Sequence, residues 1–395
     1  MSAYPQIILK KGKDSSLKRF HPWVFSGAIA QRPEDLEEGQ VVEVFSHDGN
    51  YLATGHFQIG SIMVRLFSFE QGEIGRDFWK EKLTKAVAWR KEVGLWGAEG
   101  TTMFRLVHGE GDGMPGLIID YYGGVAVVQC HSVGFFLVRQ QIAEVLQEVM
   151  GDEIQAVYDK SSHSLPFKAP VDPEDGYLIG EAQIWQAQES SHMYQIDVVS
   201  GQKTGFFVDQ RENRLLLSQY SKGKHVLNTF CYTGGFSVAA LAGGASGVHS
   251  VDSSASAITL TDENVRLNFG DAAPHQSFAV DAFSYLQDIQ DTYDLIVLDP
   301  PAFAKHQKVL DRALKGYRKI NRLAFEQIKP GGILFTFSCS QVVSKDAFRK
   351  AVFTAAAQSG RTVRILHQLT QPADHPINIY HPEGEYLKGL VLAVS

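Results

Sequence analysis

Tyr293-Asp294-Leu295-Ile296-Val297-Leu298-Asp299-Pro300-Pro301-Ala302-Phe303 places four apolar residues directly before a carboxylate and two prolines. A short unbroken apolar run stopped by turn residues predicts a strand buried on both faces. The prolines fix φ and remove two donors, so the chain must leave the sheet as a stiff loop. Outward from this strand the same pattern recurs. Residues 225–227, 248–251, 277–280 and 333–337 are apolar runs, each followed by a helix-compatible segment. That alternation predicts an α/β fold with a doubly wound, Rossmann-like parallel sheet over residues 191–395. Residues 363–369 and 387–394 are separated only by an irregular proline-containing loop, so the sheet is predicted to finish with an antiparallel strand.

The rest of the chain reads differently. Residues 7–9, 41–45, 51–57 and 62–69 are β-rich, with His47-Asp48-Gly49-Asn50 as a hairpin loop, which predicts a small β-barrel or sandwich over residues 1–75. Residues 76–190 predict a small α+β domain. Its helices fall at 77–93 and 135–149, its strands at 104–107, 116–120, 125–130 and 154–158, and an exposed proline-rich loop at 166–176.

The chain has 395 residues, with 44 % hydrophobic and 21 % charged. This excludes a disordered chain and suits two or three domains. Three cysteines, Cys130, Cys231 and Cys339, are too few and too isolated for a disulfide framework or a CxxC zinc site. They predict a reducing compartment and no bound metal. The charges at Lys10, Lys11, Lys13 and Asp14 have no apolar run beside them, as a secretory signal would require. Residues 125–138, broken by Gln129, His131 and Ser132, fall short of the roughly 20 a membrane helix needs. The expectation is a cytoplasmic protein with no membrane partner.

The net charge of −7 hides local structure. In residues 1–32, Lys10, Lys11, Lys13, Lys18, Arg19 and Arg32 face Asp14 alone, a balance of +5. In residues 303–329, Lys305, Lys308, Arg312, Lys315, Arg318, Lys319, Arg322 and Lys329 face Asp311 and Glu326, a balance of +6. Each run fits either a solvated face or contacts to a nucleic-acid backbone.

Ligands of doubly wound sheets bind beyond the carboxyl ends of the strands. After the first strand comes Asn228-Thr229-Phe230-Cys231-Tyr232-Thr233-Gly234-Gly235. Its paired glycines suit either a tight turn or close approach of a ligand to the backbone. The second strand ends in Asp252, placed to accept from ribose hydroxyls, and the third in Asp281, placed to meet a base edge. The loop lacks G-x-G-x-x-G and no lysine follows its glycines, which disfavours a dinucleotide or a P-loop phosphate. S-adenosylmethionine, which has no phosphate, suits it better. Asp299-Pro300-Pro301 resembles the fourth-strand motif of S-adenosylmethionine-dependent methyltransferases that act on nucleobases.

The fifth strand runs into Ser338-Cys339-Ser340. If it lies beside the fourth, about 4.8 Å away, Cys339 and Asp299 share one rim. That arrangement suits covalent catalysis. A thiolate adding to carbon 6 of cytosine makes carbon 5 nucleophilic, while Asp299 holds N3 or the exocyclic amine. A thiol of ordinary pKa, about 8.5, needs nearby positive charge to ionise at neutral pH. Cys231 is the rival nucleophile, although its loop serves the cofactor. Cys130 lies in a strand and reads as core.

Further stretches carry a resemblance along nearly the whole chain. They are His21-Pro22-Trp23-Val24-Phe25-Ser26-Gly27-Ala28, Lys203-Thr204-Gly205-Phe206-Phe207-Val208-Asp209-Gln210-Arg211, Ala373-Asp374-His375-Pro376 and Pro382-Glu383-Gly384-Glu385-Tyr386-Leu387-Lys388-Gly389. With Phe230–Phe236, D-P-P and S-C-S, the chain resembles the bacterial 23S ribosomal RNA large-subunit 5-cytosine methyltransferases. The resemblance implies an N-terminal PUA domain, Cys339 as nucleophile and S-adenosylmethionine as cofactor. It places Lys203, Phe207, Asp209, Asn228, Phe230, Tyr232, Thr233, Gly234, Asp252, Asp281, Asp299 and Pro300 around that cofactor. Because PUA domains bind structured RNA, it also implies RNA contacts at Lys10, Lys11, Lys18 and Arg19, with 23S ribosomal RNA as partner; the basic run directly after the D-P-P loop favours contacts to the RNA backbone at Lys305 and Arg318 as well. A homodimer is a further expectation. Ala302 departs from the family, whose D-P-P loop often continues with Lys. Two alternatives stand beside this reading: an RNA guanine N-methyltransferase on the same fold, and a non-catalytic RNA-binding assembly factor.

Overall fold

The computed structural model describes residues 4–97, 99–166, 169–181, 185–304 and 306–395. The chain divides into two compact units whose division does not follow chain order. Met1–Ser191, Ile196–Val208 and Ala373–Gly384 form the first, and His192–Gln195, Asp209–Pro372 and Glu385–Ser395 the second.

The first unit begins with a six-stranded sheet in the order Trp23–Phe25, Ile62–Ser68, Tyr51–Phe57, Val41–Phe45, Gln6–Leu9, Ile29–Gln31. The hairpin loop at 47–50 joins two antiparallel neighbours, as its turn residues predict. Ile7, Leu9, Val42, Val44, Val64 and Leu66 form its core. Trp23–Phe25 and Ile29–Gln31 are strands of three residues, too short to show a period.

A five-stranded sheet follows, in the order Gly176–Ile179, Ala156–Asp159, Val125–Cys130, Leu117–Tyr122, Met103–His108. Trp79 and Leu83 of the helix Arg76–Glu92 share a core with Ile142 and Leu146 of the helix Arg139–Met150. The single helix expected over 135–149 is two. Val133–Leu137 is capped by Ser132, and Val138 departs from helical geometry. The Arg139 guanidinium donates to Phe136 O at 2.7 Å, taking a carbonyl at the break.

A buried polar seam fastens distant segments into this unit. Arg90, fully buried, makes a bidentate pair with Asp112 at 2.5 and 2.8 Å and donates to Asp374 O at 2.8 Å. Arg105 pairs with Asp120 at 2.8 Å through Nε and Nη2, and its backbone N–H donates to Asp374 Oδ2 at 3.0 Å. Thr204 donates to Asp120 Oδ2 at 2.6 Å, and the Tyr122 hydroxyl donates to Phe206 O at 3.1 Å. The A-D-H-P and K-T-G-F segments therefore supply structural ties: each gives a buried polar group to an ion pair that would otherwise be incompletely satisfied.

The second unit is one seven-stranded sheet: β1 (His225–Thr229), β2 (Gly247–Asp252), β3 (His275–Ala279), β4 (Leu295–Leu298), β5 (Gly332–Ser338), β6 (Val363–Leu369) and β7 (Lys388–Val394). Its order is β3-β2-β1-β4-β5-β7-β6. The first five strands are parallel, and β7 runs antiparallel to both β5 and β6. Composition explains why the last strand lies inside: β7 is almost wholly buried, whereas β6, rich in polar residues, forms the edge. The helices are α1 (Arg211–Ser221), α2 (Gly235–Ala242), α3 (Ala255–Phe269), α4 (Ala282–Tyr285), α5 (Leu310–Gln327) and α6 (Lys345–Ser359). Among the described residues, no helix is long and apolar enough to cross a membrane.

Candidate active site

Beyond the carboxyl end of β1 the chain makes a tight loop with Phe230, Tyr232 and Gly234 at φ 55°, 48° and 80°. Non-glycine residues reach this left-handed region only when their surroundings hold them there. Here Asp252 accepts from Tyr232 N at 3.0 Å, Thr261 donates to Tyr232 O at 2.8 Å, and Asn264 donates to Thr233 O at 2.9 Å. Gly234 is required, since a Cβ there would lie 2.7 Å from Thr261 Cγ2.

Asp252 thus braces the loop, and also accepts from Ser254 N at 2.9 Å. Asp281 caps α4, accepting from Ser284 N at 2.8 Å, and is exposed. Asn228 Nδ2 donates to Ser237 Oγ at 2.9 Å. Asn228 Oδ1, Thr233 Oγ1 and Asp209 Oδ1 are buried without a hydrogen-bond partner among the described residues. A buried polar atom left unsatisfied costs about 1–3 kcal/mol. A ligand bringing an ammonium and hydroxyls to this end of the sheet would supply the missing partners.

The D-P-P loop lies beside this loop, because β4 pairs with β1. Gln210 donates to Asp299 Oδ2 at 3.1 Å, and Tyr386 donates to Asp209 Oδ2 at 2.8 Å. Loss of solvent, with the Asp209 charge adding to it, pushes the Asp299 carboxyl up to about 7. A carboxyl so placed is divided between acid and carboxylate at neutral pH.

On the next strand, Cys339 Sγ is 3.9 Å from Pro300 O, so thiol and D-P-P loop share one rim. The two serines of S-C-S hold the cysteine from both sides. Ser338 donates to the Tyr317 hydroxyl at 2.9 Å, and Ser340 to Ala304 O. Lys388 is buried and donates to Ser340 O and Val343 O, both at 2.6 Å. Burial lowers its pKa to about 8, while the field of Cys339 favours the ammonium. The other cysteines are unsuited to ionise: burial pushes Cys130 up to about 12, and burial, with the nearby Asp252 charge, also pushes Cys231 up.

Of the residues expected around a cofactor, Asp209, Asn228, Phe230, Tyr232, Thr233, Gly234, Asp252, Asp281, Asp299 and Pro300 all belong to the second unit; Lys203 and Phe207 belong to the first. Lys10, Lys11, Lys18 and Arg19 are exposed, with Lys18 paired to Asp14. Arg318 is half-buried on α5, which buries Tyr317 and Ile320. Lys305 lies outside the described residues. Gln210, Tyr386 and Lys388 all lie in stretches that carry the resemblance, but the sequence assigns no role to any of them individually. A signal existed for Lys388, a lone cation opening an otherwise apolar strand.

Residues 104–382 match the family model of S-adenosylmethionine-dependent methyltransferases, and residues 7–69 that of a PUA-like domain. The chain is 38 % identical over its full length to a ribosomal RNA large subunit methyltransferase I of Klebsiella pneumoniae, covering 99 % of that protein. It is 39 % identical to the protein of that name from an Enterobacter species, over 98 % of this chain and 99 % of the other. The chain belongs to this family. S-adenosylmethionine is the cofactor of this methyltransferase. The fold is shared with a methyltransferase structure from Streptococcus mutans (TM-score 0.83, 24 % identity, 98 % of this chain and 100 % of that one). A methyltransferase solved with S-adenosylhomocysteine has the same fold (TM-score 0.84, 24 % identity, with the same coverage).

Proposed function

We propose that this methyltransferase forms 5-methylcytosine in 23S ribosomal RNA, with Cys339 as the nucleophile. The observation that carries the reading is the half-buried Cys339 thiol on the Asp299 rim, backed by the buried ammonium of Lys388. The relatives' names supply the substrate class.

Cys339, as thiolate, adds to carbon 6 of the cytosine. Asp299, in its acid form, gives a proton to N3, so that the electron pair gathers at carbon 5. S-adenosylmethionine supplies the methyl group from its sulfonium. Loss of the C5 proton to a base, departure of the Cys339 thiolate and return of the N3 proton to the Asp299 carboxylate restore the ring. Lys388 holds negative charge on the sulfur, and Tyr386 and Gln210 fix the two carboxyls. When the cofactor binds, Asp209 and Asn228 would accept from its ammonium, Asp252 from its ribose hydroxyls, and Asp281 would face its adenine. Lys10, Lys11, Lys18, Arg19 and Arg318 contact RNA phosphates.

Ribosomal RNA transcribed with 5-fluorocytidine tests this reading, because fluorine at carbon 5 cannot leave as a cation and the adduct persists. A denaturant-stable protein–RNA conjugate is expected with the wild type and with Cys231→Ala, and none with Cys339→Ala. A conjugate that survives Cys339→Ala refutes the assignment.

A further inference from the structure

The first unit carries a group of aromatic rings that its core does not absorb. Phe20 ends the 3₁₀ turn Leu17–Arg19 in the left-handed conformation, φ 62°, with its side chain 47 % exposed. In this left-handed position its backbone N–H closes the turn, donating to Leu17 O at 2.8 Å. Its ring meets the edge of Phe69 at 5.2 Å and the ring of Tyr380 at 5.3 Å. Tyr380 is 50 % exposed and Phe25 47 %.

The backing of these rings is rigid. Trp23 stands 4.2 Å from the His381 ring and donates from Nε1 to Glu110 Oε1 at 2.9 Å. Arg65 lies 5.5 Å over the Trp23 ring and donates to the same Glu110 oxygen at 3.1 Å. His381 and Glu383 are hydrogen-bonded at 2.8 Å, and His21 Nε2 lies 3.8 Å from the same carboxylate. These three offer ligand atoms within 4.8 Å of one another. Their mutual bonds account for the grouping as a bracket that seats residues 377–381 against residues 20–23.

Exposed cations precede the rings along the chain. Lys10, Lys11, Lys13, Lys18 and Arg19 are all exposed, and Lys18-Arg19-Phe20-His21-Pro22-Trp23-Val24-Phe25 sets two cations directly before three aromatic residues. Rings with an open face beside ammonium and guanidinium groups are the means by which proteins hold unpaired nucleotides: bases stack while phosphates meet the cations. An RNA duplex would hide its base faces.

We propose that Phe20 and Tyr380 form a stacking platform for an unpaired base of the RNA substrate, with the neighbouring cations holding its phosphates. The platform deepens the RNA reading of the preceding section and rests on it. Part of it comes from Ala373–Gly384, far along the chain from the PUA-like residues.

The test uses the full-length protein and two fluorescein-labelled probes, a 12-nucleotide mixed-sequence RNA strand and the duplex of the same length, read by anisotropy. Phe20→Leu and Tyr380→Leu keep apolar bulk and remove the π face. Each is expected to weaken single-strand binding about five- to 150-fold, to change duplex binding less than twofold, and to leave the salt slope unchanged. Phe20→Trp and Tyr380→Phe are expected to bind as the wild type, which separates stacking from misfolding. Ring variants that bind the strand as the wild type does overturn the platform and give the surface to a protein partner. Equal losses on strand and duplex overturn it as well. Methylation of ribosomal RNA by the wild type, measured in parallel, keeps the two claims apart. If the platform alone fails, the wild type still methylates; if the RNA reading fails, the wild type neither binds the probes nor methylates ribosomal RNA, and the platform falls with it.

Discussion

The buried ammonium of Lys388 donates to the carbonyl of Ser340, the residue that follows Cys339. A cation fixed behind a thiol favours the thiolate, and one pKa unit corresponds to about 1.4 kcal/mol. Lys388→Met is therefore expected to lower the thiolate fraction of Cys339 and to slow its alkylation by iodoacetamide at pH 7 about tenfold. Mass spectrometry of the alkylated peptide across pH checks this. Unchanged alkylation of Cys339 would show that Lys388 acts only as a structural tie.

Asp299 gives the pH profile a sign. Its carboxyl titrates at about 7, chiefly through burial and then through Asp209. The proton-donating form is present below that pH and lost above it, so the rate falls on the alkaline side. Asp209→Asn removes the neighbouring charge, which lowers the Asp299 pKa and moves the fall to lower pH. Gln210→Ala removes a donor to the carboxylate, which raises the pKa and moves the fall to higher pH. Opposite displacements in single-turnover profiles of the two variants are the expected result.

Gly234→Ala places a methyl group at φ 80° and against Thr261. Relief requires the loop after β1 to shift. The expected outcome is weaker S-adenosylmethionine binding by roughly five- to thirtyfold in calorimetry, in line with about 1–2 kcal/mol of left-handed strain.

Arg90→Leu leaves the Asp112 carboxylate nearly buried without its bidentate partner. Breaking such a pair costs about 3–5 kcal/mol. The first transition of urea unfolding should move to lower denaturant accordingly, while replacing exposed Lys85, paired to Glu81 on the surface of the helix Arg76–Glu92, should move it by less than about 1 kcal/mol.

Much of this arrangement was legible in the sequence because its period was unambiguous. Leu295–Leu298 is an apolar run with no helical reading at that length, and the proline-containing loop before β7 already required an antiparallel return. The rim shared by Cys339 and D-P-P followed from strand adjacency alone. What stayed hidden depends on contacts distant in sequence. Gln210 meets Asp299 across 89 residues and Tyr386 meets Asp209 across 177, and no local pattern encodes either. Asp252 and Asp281 looked like ligand residues from their places at strand ends. Their carboxylates are also engaged in bracing Tyr232 and capping α4, roles that strand position does not distinguish.

Nucleoside mass spectrometry of ribosomal RNA incubated with S-adenosylmethionine and either the wild type or Cys339→Ala tests the central claim most directly. The wild type should produce 5-methylcytidine, and Cys339→Ala should lower its rate of formation roughly a thousandfold or more while still binding the cofactor. A methylated guanosine in place of 5-methylcytidine, or 5-methylcytidine formed by Cys339→Ala at near wild-type rate, would contradict it.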